Sequence, residues 1–251
     1  MSERAALNVV IFGATSAIAA EVARRYAARG HRLHLVARNA ERLGALVEEL
    51  GDAIVGHQVA DLDQLERAGE RVDAAIASLG ALDVALIAHG LLGDQLRSER
   101  DFAEAERSVR TNLLSPIALL VPLANHFEAR GHGHIGVITS VAGDRGRPRN
   151  YSYGAAKGGL SRYLEGLRSR LHRAGVVVHD FRLGPVDTPM TTTHEKNLVF
   201  AQTGPVADAI VRGLGSGRHT IYVPGFWRAI MWVVRNLPEF VFTRVRFLSG
   251  R

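Results

Sequence analysis

A tyrosine and a lysine are separated by one helical turn in the segment Tyr153-Gly154-Ala155-Ala156-Lys157. Residues four apart share one face of a helix, so the two side chains are expected to lie side by side. A free phenol has a pKa near ~10 and is a poor general base at neutral pH, whereas a neighbouring ammonium group stabilises the phenolate and lowers that pKa. The pair is therefore predicted to transfer a proton to or from a carbonyl or an alcohol.

Two more polar residues are candidates for the same site. Ser140 ends the apolar run Gly136–Ser140, and a hydroxyl at the carboxyl end of a parallel strand faces the ligand crevice. Asn112 lies in the middle of a predicted helix, where asparagine is unfavourable unless its amide has a partner. We therefore expect Asn112 and Ser140 to lie near Tyr153 and Lys157.

Short apolar runs alternate with longer amphipathic stretches along the chain. The apolar runs, predicted as strands, are Asn8–Phe12, Leu33–Ala37, Ala53–Val59, Leu82–Ala88, Ile135–Thr139, Val176–Leu183 and Thr220–Val223. The amphipathic stretches, predicted as helices, are Ala17–Arg29, Ala40–Leu50, Leu62–Leu79, Asp101–Arg130, Tyr151–Ala174 and Pro205–Gly215. The runs are near-continuous, as in strands that are covered on both faces. Residues 1–225 are thus predicted to form a single-domain α/β Rossmann fold with a doubly wound, mostly parallel sheet of about seven strands.

The first predicted strand leads through a glycine-containing turn into a helix, as in sites that bind a dinucleotide pyrophosphate. Backbone N–H groups in such a turn point at the phosphates, and the helix dipole favours their negative charge. The residues assigned to this loop are Gly13, Thr15, Ser16, Ala17 and Ile18. Ala17 and Ala19 occupy positions where glycine is usual, but alanine still permits a close approach. An ordinary βα turn is the alternative interpretation.

Arg38, at the end of the second predicted strand, indicates which dinucleotide is bound. An acidic residue there would bind the ribose 2′-hydroxyl of NAD, whereas a planar cation suits a 2′-phosphate. We therefore predict NADP(H) in preference to NAD(H), with a solvated loop arginine as the alternative. Asp61, just after the third predicted strand, either accepts a hydrogen bond from the adenine amino group or caps the following helix.

These residues together resemble the classical short-chain dehydrogenase/reductases over the whole chain. The matching positions are Gly13, Thr15, Ser16, Asn112, Ser140, Tyr153, Lys157 and Leu183-Gly184-Pro185-Val186-Asp187-Thr188-Pro189. The resemblance implies that Tyr153 is the acid/base, that Lys157 lowers its pKa and binds the ribose, and that Ser140 holds the carbonyl. It also implies that Asn112 positions a water in the proton relay. The nicotinamide would lie against Gly184, Pro185, Val186 and Thr188.

The chain departs from the family pattern after the fourth predicted strand. The family's Asn-Asn-Ala-Gly reads Ile87-Ala88-His89-Gly90 here. Gly90 is retained and is assigned to the cofactor site. The change weakens the usual contact between strand and cofactor and places His89 near the ligand, either as a satisfied loop histidine or as an acid.

Three stretches are similar to one branch of the family, the keto-reductase subunits of decaprenylphosphoryl-β-D-ribose 2′-epimerase. They are Gly90-Leu91-Leu92-Gly93-Asp94, Ala142-Gly143-Asp144-Arg145 and Trp227-Arg228-Ala229-Ile230-Met231 with the later Pro238. That branch reduces a lipid-linked 2-keto pentose. The resemblance implies such a substrate, together with a flavin-dependent oxidase partner that supplies the ketone.

The C-terminal tail, residues 226–251, combines dense apolar and aromatic residues with five arginines and a single acid, Glu239. It has no uninterrupted apolar run near the ~20 residues that a membrane span requires, and Pro238 is predicted to separate two short helices. We predict that the tail binds an anionic membrane surface or packs on a partner subunit in a homodimer or homotetramer. The expected location is cytoplasmic, with peripheral association at the inner face of the membrane.

The composition argues against several other functions. The chain has no cysteine, which excludes disulfides, thiolate metal sites and cysteine nucleophiles. Its net charge is +6, but it shows no basic face with interleaved aromatics outside the tail, so we predict no nucleic-acid partner. His126, His132 and His134 lack an accompanying carboxylate pair, and we predict no metal site.

The sequence therefore predicts an oxidoreductase that reduces a ketone to a secondary alcohol, with NADPH as the hydride donor and Tyr153 as the proton donor. One alternative is a reductase or dehydrogenase of a soluble ketone or alcohol. The other is a non-catalytic NADP(H)-binding sensor or scaffold, because a fold does not fix a function. The intact set of Ser140, Tyr153 and Lys157 argues against the non-catalytic alternative.

Overall fold

Seven parallel strands form the centre of the computed structural model, which describes residues 6–189 and 200–244. The strands are β1 (Asn8–Phe12), β2 (Arg32–Ala37), β3 (Ile54–Val59), β4 (Val84–Ile87), β5 (Gly133–Ser140), β6 (Val176–Leu183) and β7 (Thr220–Val223). Their order is β3-β2-β1-β4-β5-β6-β7, and every pairing is parallel. The order reverses between β1 and β4, so the ligand crevice is expected at the carboxyl ends of these strands.

Helices cover both faces of the sheet. They are α1 (Ala17–Ala27), α2 (Ala40–Leu50), α3 (Ala68–Leu79), α4 (Gln95–Ser98), α5 (Phe102–Val109), α6 (Ser115–Arg130), α7 (Tyr151–Leu171), α8 (Thr203–Leu214), α9 (Trp227–Asn236) and α10 (Glu239–Phe242). Val9 and Ile11 of β1 pack in the core with α1, α2 and α8, whereas Val10 and Phe12 pack in the core with α3, α6 and α7. Because successive strand residues enter opposite cores, β1 from Val9 onward and β4 are continuously apolar. The predicted doubly wound parallel sheet is confirmed.

Strand β3 differs from the prediction that both of its faces are covered. Val55, His57 and Val59 are exposed, and they alternate with partly buried residues. β3 is an edge strand of the sheet and pairs only with β2. An apolar run at the edge of a sheet is thus half-exposed, although its composition resembles that of a central strand.

Two predicted helices are broken where polar side chains bind the backbone. The stretch Leu62–Leu79 becomes an α-helix only at Ala68, because Asp61 and the residues after it form turns: Asp61 Oδ1 accepts from the Asp63 amide at 3.2 Å, and a 3-10 turn follows. Asp61 therefore does not cap α3. The stretch Asp101–Arg130 divides into α5 and α6, which are separated by a π-helical turn at Arg110–Leu114.

The C-terminal residues form the two short helices α9 and α10, which meet at Pro238 as predicted. Trp227, Met231, Val234 and Phe242 pack against Val141, the residue that follows Ser140. The tail is thus attached directly to the loop after β5. The last tail residues, 245–251, lie outside the described residues, and the division of the chain at residue 225 stays a prediction.

Candidate active site

The loop between β1 and α1 has the shape required for close approach to a ligand. Gly13 adopts a φ of +81°, and a Cβ added to it would lie 2.6 Å from the His89 amide nitrogen. Ser16 caps α1, with its hydroxyl accepting from the Ala19 amide at 3.3 Å. Ala17 and Ile18 begin the helix, where amides have no intrahelical acceptor. These groups can bind phosphate oxygens.

Two arginines stand near this loop, one of which the sequence interpretation missed. Arg38 is exposed directly after β2, and Arg42 lies in the first turn of α2. Arg42 Nη2 donates to the Thr15 carbonyl at 2.6 Å, so α2 is tied to the phosphate-binding loop. The available signal was the position of Arg42 in the first turn of the helix that follows Arg38.

Asp61 lies beside the end of β2. The Ala60 amide donates to the Ala37 carbonyl at 2.9 Å, which brings the strand ends that carry Arg38 and Asp61 together. Asp61 is partly exposed. The Asp61 carboxylate can accept hydrogen bonds, and the exposed Arg38 guanidinium group can donate them. Together they are suited to bind the adenosine end of a dinucleotide.

The residues after β4 connect the phosphate loop with the polar centre. A Cβ on Gly90 would lie 2.8 Å from Asn112 Oδ1 and 3.4 Å from Lys157 Nζ. Asn112 is fully buried in the π-helical turn; its Oδ1 accepts from the Leu91 amide at 3.1 Å, and its Nδ2 donates to the Leu91 carbonyl at 2.8 Å. The side chain therefore fixes the loop after β4, which explains an asparagine in the middle of a helix. π-helical turns are frequent at functional sites.

Ser140, Tyr153 and Lys157 converge at the carboxyl end of β5. Ser140 Oγ accepts from the Ala142 amide at 3.1 Å and donates to the Leu183 carbonyl at 3.4 Å, and its hydroxyl lies close enough to Tyr153 to influence the pKa of the phenol. Lys157 Nζ donates to the Ile138 carbonyl at 3.0 Å and lies 6.0 Å from the centre of the Tyr153 ring. The structure thus brings Asn112, Ser140, Tyr153 and Lys157 into one group. Their catalytic roles stay a prediction.

The pKa values of this group differ from the sequence expectation. Removal of the Tyr153 phenol from water raises its pKa to about 12, and a favourable interaction with the Ser140 hydroxyl opposes that rise. Burial lowers the pKa of Lys157 to about 8, and the charge of Asp180 opposes that fall. The expectation of a lowered Tyr153 pKa is wrong in this arrangement, because desolvation outweighs the favourable contacts of the phenolate. The phenol therefore keeps its proton at neutral pH.

The segment after β6 runs along the same edge of the sheet. The Gly184 amide donates to the Val223 carbonyl at 2.9 Å, and the Ala201 amide donates to the Pro185 carbonyl at 3.0 Å. Val186 forms a bridge with Ala201, and Thr188 follows two residues later. Pro185, Val186 and Thr188 therefore follow closely after β6, the strand that pairs with β5. Residues 190–199 are outside the described part of the chain.

His89 is held by one hydrogen bond to the polypeptide. Its Nε2 lies 2.8 Å from Ser115 Oγ, and that hydroxyl donates to the Leu62 carbonyl at 2.6 Å. Ser115 has only one proton to donate, so His89 Nε2 carries the proton in this pair. Burial, with a smaller effect of Lys157, lowers the pKa of His89 to about 3. The Nδ1 atom of this neutral imidazole is buried and has no hydrogen-bond partner among the described residues, so His89 is only partly satisfied and its role stays a prediction.

Contacts from the C-terminal helices were not evident in the sequence. The Trp227 indole lies on Gly184, where an added Cβ would be 2.0 Å from Nε1. Arg145 donates from Nη1 to the Val234 and Leu237 carbonyls, each at 2.6 Å. The loop after Ser140 and the segment after β6 are both held by the tail.

Neither a metal cluster nor a membrane span emerges from the described ranges, 6–189 and 200–244. No group of three or more potential metal ligands is found there. His134 Nδ1 lies 3.0 Å from His179 Nε2, and the two rings stack. No helix in these ranges has both the length and the apolar character needed to cross a bilayer.

Comparison with known proteins agrees with this geometry. The model of the short chain dehydrogenase family matches residues 7–198, and the chain belongs to this family. An uncharacterized oxidoreductase of Mycobacterium tuberculosis is 36% identical over 257 residues, which cover 98% of this chain and 99% of the relative. The chain is accordingly an oxidoreductase of the short-chain dehydrogenase/reductase type.

Two solved structures share the fold. ElxO with NADP bound has a TM-score of 0.79 at 20% identity and covers 90% of this chain and 100% of its own. A variant of actinorhodin polyketide ketoreductase with NADPH has a TM-score of 0.77 at 24% identity and covers 88% of this chain and 97% of its own.

Proposed function

We propose that the protein reduces a ketone to a secondary alcohol with NADPH as the hydride donor. The observation that carries the proposal is the convergence of Ser140, Tyr153 and Lys157 at the carboxyl end of β5, where a parallel sheet binds its ligands. The dinucleotide supplies the hydride when it is bound. The residues of this chain orient the carbonyl and supply the proton.

The protonation states favour reduction. At neutral pH the Tyr153 phenol keeps its proton, because its pKa is about 12. It can donate that proton to the oxygen of a ketone as negative charge develops there. Ser140 lies close enough to Tyr153 to influence its pKa, so the Ser140 hydroxyl can hold the same oxygen. The Lys157 ammonium group stabilises the phenolate that remains.

A Tyr153→Phe variant tests this proposal. It removes the transferable proton and keeps the ring, so we expect NADPH binding close to the wild-type value and turnover lower by about two to four orders of magnitude. NADPH oxidation with a panel of ketones measures turnover, and cofactor fluorescence measures binding. Unchanged turnover in Tyr153→Phe would overturn the catalytic assignment. Wild-type binding without turnover on any ketone would instead favour the sensor alternative.

The preference for NADP(H) is part of the proposal. Arg38 and Arg42 present two guanidinium groups near the start of α2, beside the phosphate-binding loop. Guanidinium groups bind phosphate oxygens in a bidentate geometry, which suits a 2′-phosphate. Solved proteins of the same fold carry NADP or NADPH.

One surface observation favours a lipid-linked substrate over a soluble one. Trp232 on α9 is 70% exposed and Phe240 on α10 is 65% exposed, and Phe226, Ile230 and Val233 extend this apolar face. Arg228, Arg235 and Arg244 are exposed on the same short segment. Aromatic residues beside arginines suit the interface of an anionic bilayer. The pentose, the flavin oxidase partner and the homo-oligomer rest on the sequence interpretation alone.

Flotation with anionic vesicles tests the membrane surface. The full chain should float with vesicles that contain phosphatidylglycerol and should not float with neutral vesicles. A Trp232→Ser/Phe240→Ser variant keeps the buried face of α9 and should lose flotation. A variant that still floats would contradict this role of the face. If the wild-type protein does not float, and the double substitution dissociates its oligomer, the face is instead a contact between subunits.

A further inference from the structure

Buried charged side chains lie on β6 and on the loop after β5, outside the group assigned above. Arg182 Nε donates to Asp180 Oδ2 at 2.8 Å, and Arg182 Nη1 donates to Asp144 Oδ1 at 2.7 Å. The Tyr222 hydroxyl donates to the other Asp144 oxygen at 2.8 Å. Asp180 is fully buried and Arg182 is 6% exposed. This set, Asp180, Arg182, Asp144 and Tyr222, is the β6 charge cluster.

Stability alone does not account for the β6 charge cluster. Moving charges out of water costs free energy, and apolar residues of similar volume often replace a buried ion pair without loss of stability. The neighbouring strand positions Phe181 and Leu183 are apolar, as a central strand requires. The charges of Asp180 and Arg182 are therefore better explained by a role in the nearby chemistry than by a gain in stability.

Asp180 lies on the face of the sheet that α7 covers. Val178, two residues earlier on β6, packs in the same core as Leu160 and Leu164 of α7. Residues two apart on a strand point to the same face, so Asp180 also faces α7. The Thr139 hydroxyl donates to Asp180 Oδ1.

Consecutive residues of β5 hold Lys157 and Asp180. Lys157 Nζ donates to the Ile138 carbonyl at 3.0 Å, and Thr139, the next residue, binds Asp180. The lysine and the buried carboxylate are thus anchored at adjacent positions of one strand.

Within the described ranges, the titratable groups that interact with Lys157 are Tyr153 from its own helix, His89 from the loop after β4 and Asp180 from β6. Tyr153 and His89 are neutral at neutral pH, because their pKa values are about 12 and about 3. Burial works against the Lys157 charge, and Asp180 is the group that supports it.

We propose that Asp180 is a positioning residue for the reaction, whose carboxylate, held by Arg182 and Thr139, keeps the Lys157 ammonium group charged beside Tyr153. Arg182 and Asp144 also connect this carboxylate to the loop that follows Ser140. The inference rests on the proposed function for its catalytic meaning, but the electrostatic coupling can be measured without any substrate.

The chain offers a direct measurement, because Lys157 and Lys196 are its only lysines. Protein labelled with ¹³C at lysine Cε gives two resonances, and a Lys196→Arg version assigns the one from Lys157. In Asp180→Asn, which keeps an acceptor for Thr139, we expect the pKa of Lys157 to fall from about 8 to about 7. The alkaline limb of the kcat profile should move down in pH with it.

Glu165→Gln is the matched control. Glu165 lies on α7, and its carboxylate is 3.6 Å from Arg182, but it is 39% exposed and is not among the groups that support Lys157. It should leave the Lys157 titration unchanged. Circular dichroism and thermal melting check that each variant folds. If Asp180→Asn melts early, Asp180→Glu, which keeps the charge, should restore the wild-type titration.

The outcomes separate this proposal from the proposed function. An Asp180→Asn protein whose Lys157 titrates like the wild type overturns the coupling, even if the enzyme reduces ketones. A shifted Lys157 titration in a protein that reduces no ketone supports the coupling and overturns the function. A loss of kcat with no change in the pH profile would show that Asp180 acts only on the fold.

Discussion

The guanidinium carbon of Arg145 lies 4.0 Å from the centre of the Phe242 ring. Arg145 is five residues beyond Ser140, and Phe242 ends α10. The same arginine binds the carbonyls of Val234 and Leu237 and pairs with Glu239 at 2.8 Å. One side chain thus joins the loop after the candidate catalytic serine to four residues of the C-terminal segment.

Arg145→Ala should release α9 and α10 from this loop. Its hydrogen bonds to two carbonyls are charge-assisted, and we expect the free energy of unfolding to fall by about 2–3 kcal/mol. Both tryptophans lie in α9, so their fluorescence should shift to the red as Trp227 becomes hydrated. Urea unfolding followed by fluorescence measures both effects. Arg228→Ala, an exposed position on α9, is the control, and equal results for the two variants would refute this role of Arg145.

The strands and helices were predictable from the sequence, whereas the contacts of Arg145 with the C-terminal helices were not. Asn8–Phe12, Val176–Leu183 and Thr220–Val223 have the predicted bounds, because apolar runs between glycines and helices report burial directly. Arg145 and Leu237 are 92 positions apart, and no local spacing encodes their contact. The group formed by Ser140, Tyr153 and Lys157 was predictable because each side chain sits at a strand end or on one helix face.

The two arginines near α2 should affect dinucleotide binding differently. Arg38→Ala removes an exposed cation from the predicted 2′-phosphate site, so the dissociation constant of NADPH should rise about ten- to hundredfold while that of NADH stays nearly constant. Arg42→Ala also removes the bond to the Thr15 carbonyl and should weaken both dinucleotides. Calorimetric titrations of each variant with NADPH and with NADH measure these dissociation constants. Equal losses of NADPH and NADH binding in Arg38→Ala would remove the basis for the NADP(H) preference.

The pH dependence of turnover should have its alkaline limb set by Lys157. Its pKa is lowered to about 8, so its charge is present at neutral pH and is lost as the pH rises through that value. Tyr153, with a pKa of about 12, keeps its proton throughout. Burial lowers the pKa of His34 and of His179 to about 4, so neither histidine should titrate near neutrality. We therefore expect kcat to be flat near neutral pH and to decline above about pH 8; a limb near pH 6 would require another group.

Gly90→Ala should disturb the site without changing any polar group in it. The added methyl would lie 2.8 Å from Asn112 Oδ1 and 3.4 Å from Lys157 Nζ, so the Asn112 amide must move and its bonds to Leu91 must lengthen. A displacement of this kind lowers kcat/KM by about one to two orders of magnitude when it misaligns a catalytic group. Gly44→Ala is the control, because nothing lies within 4 Å of its added Cβ in α2 and the change should raise helix stability by about 1 kcal/mol. Steady-state kinetics and thermal melting of both variants distinguish an effect on catalysis from an effect on stability. Full activity in Gly90→Ala would show that the loop after β4 adjusts freely around Asn112.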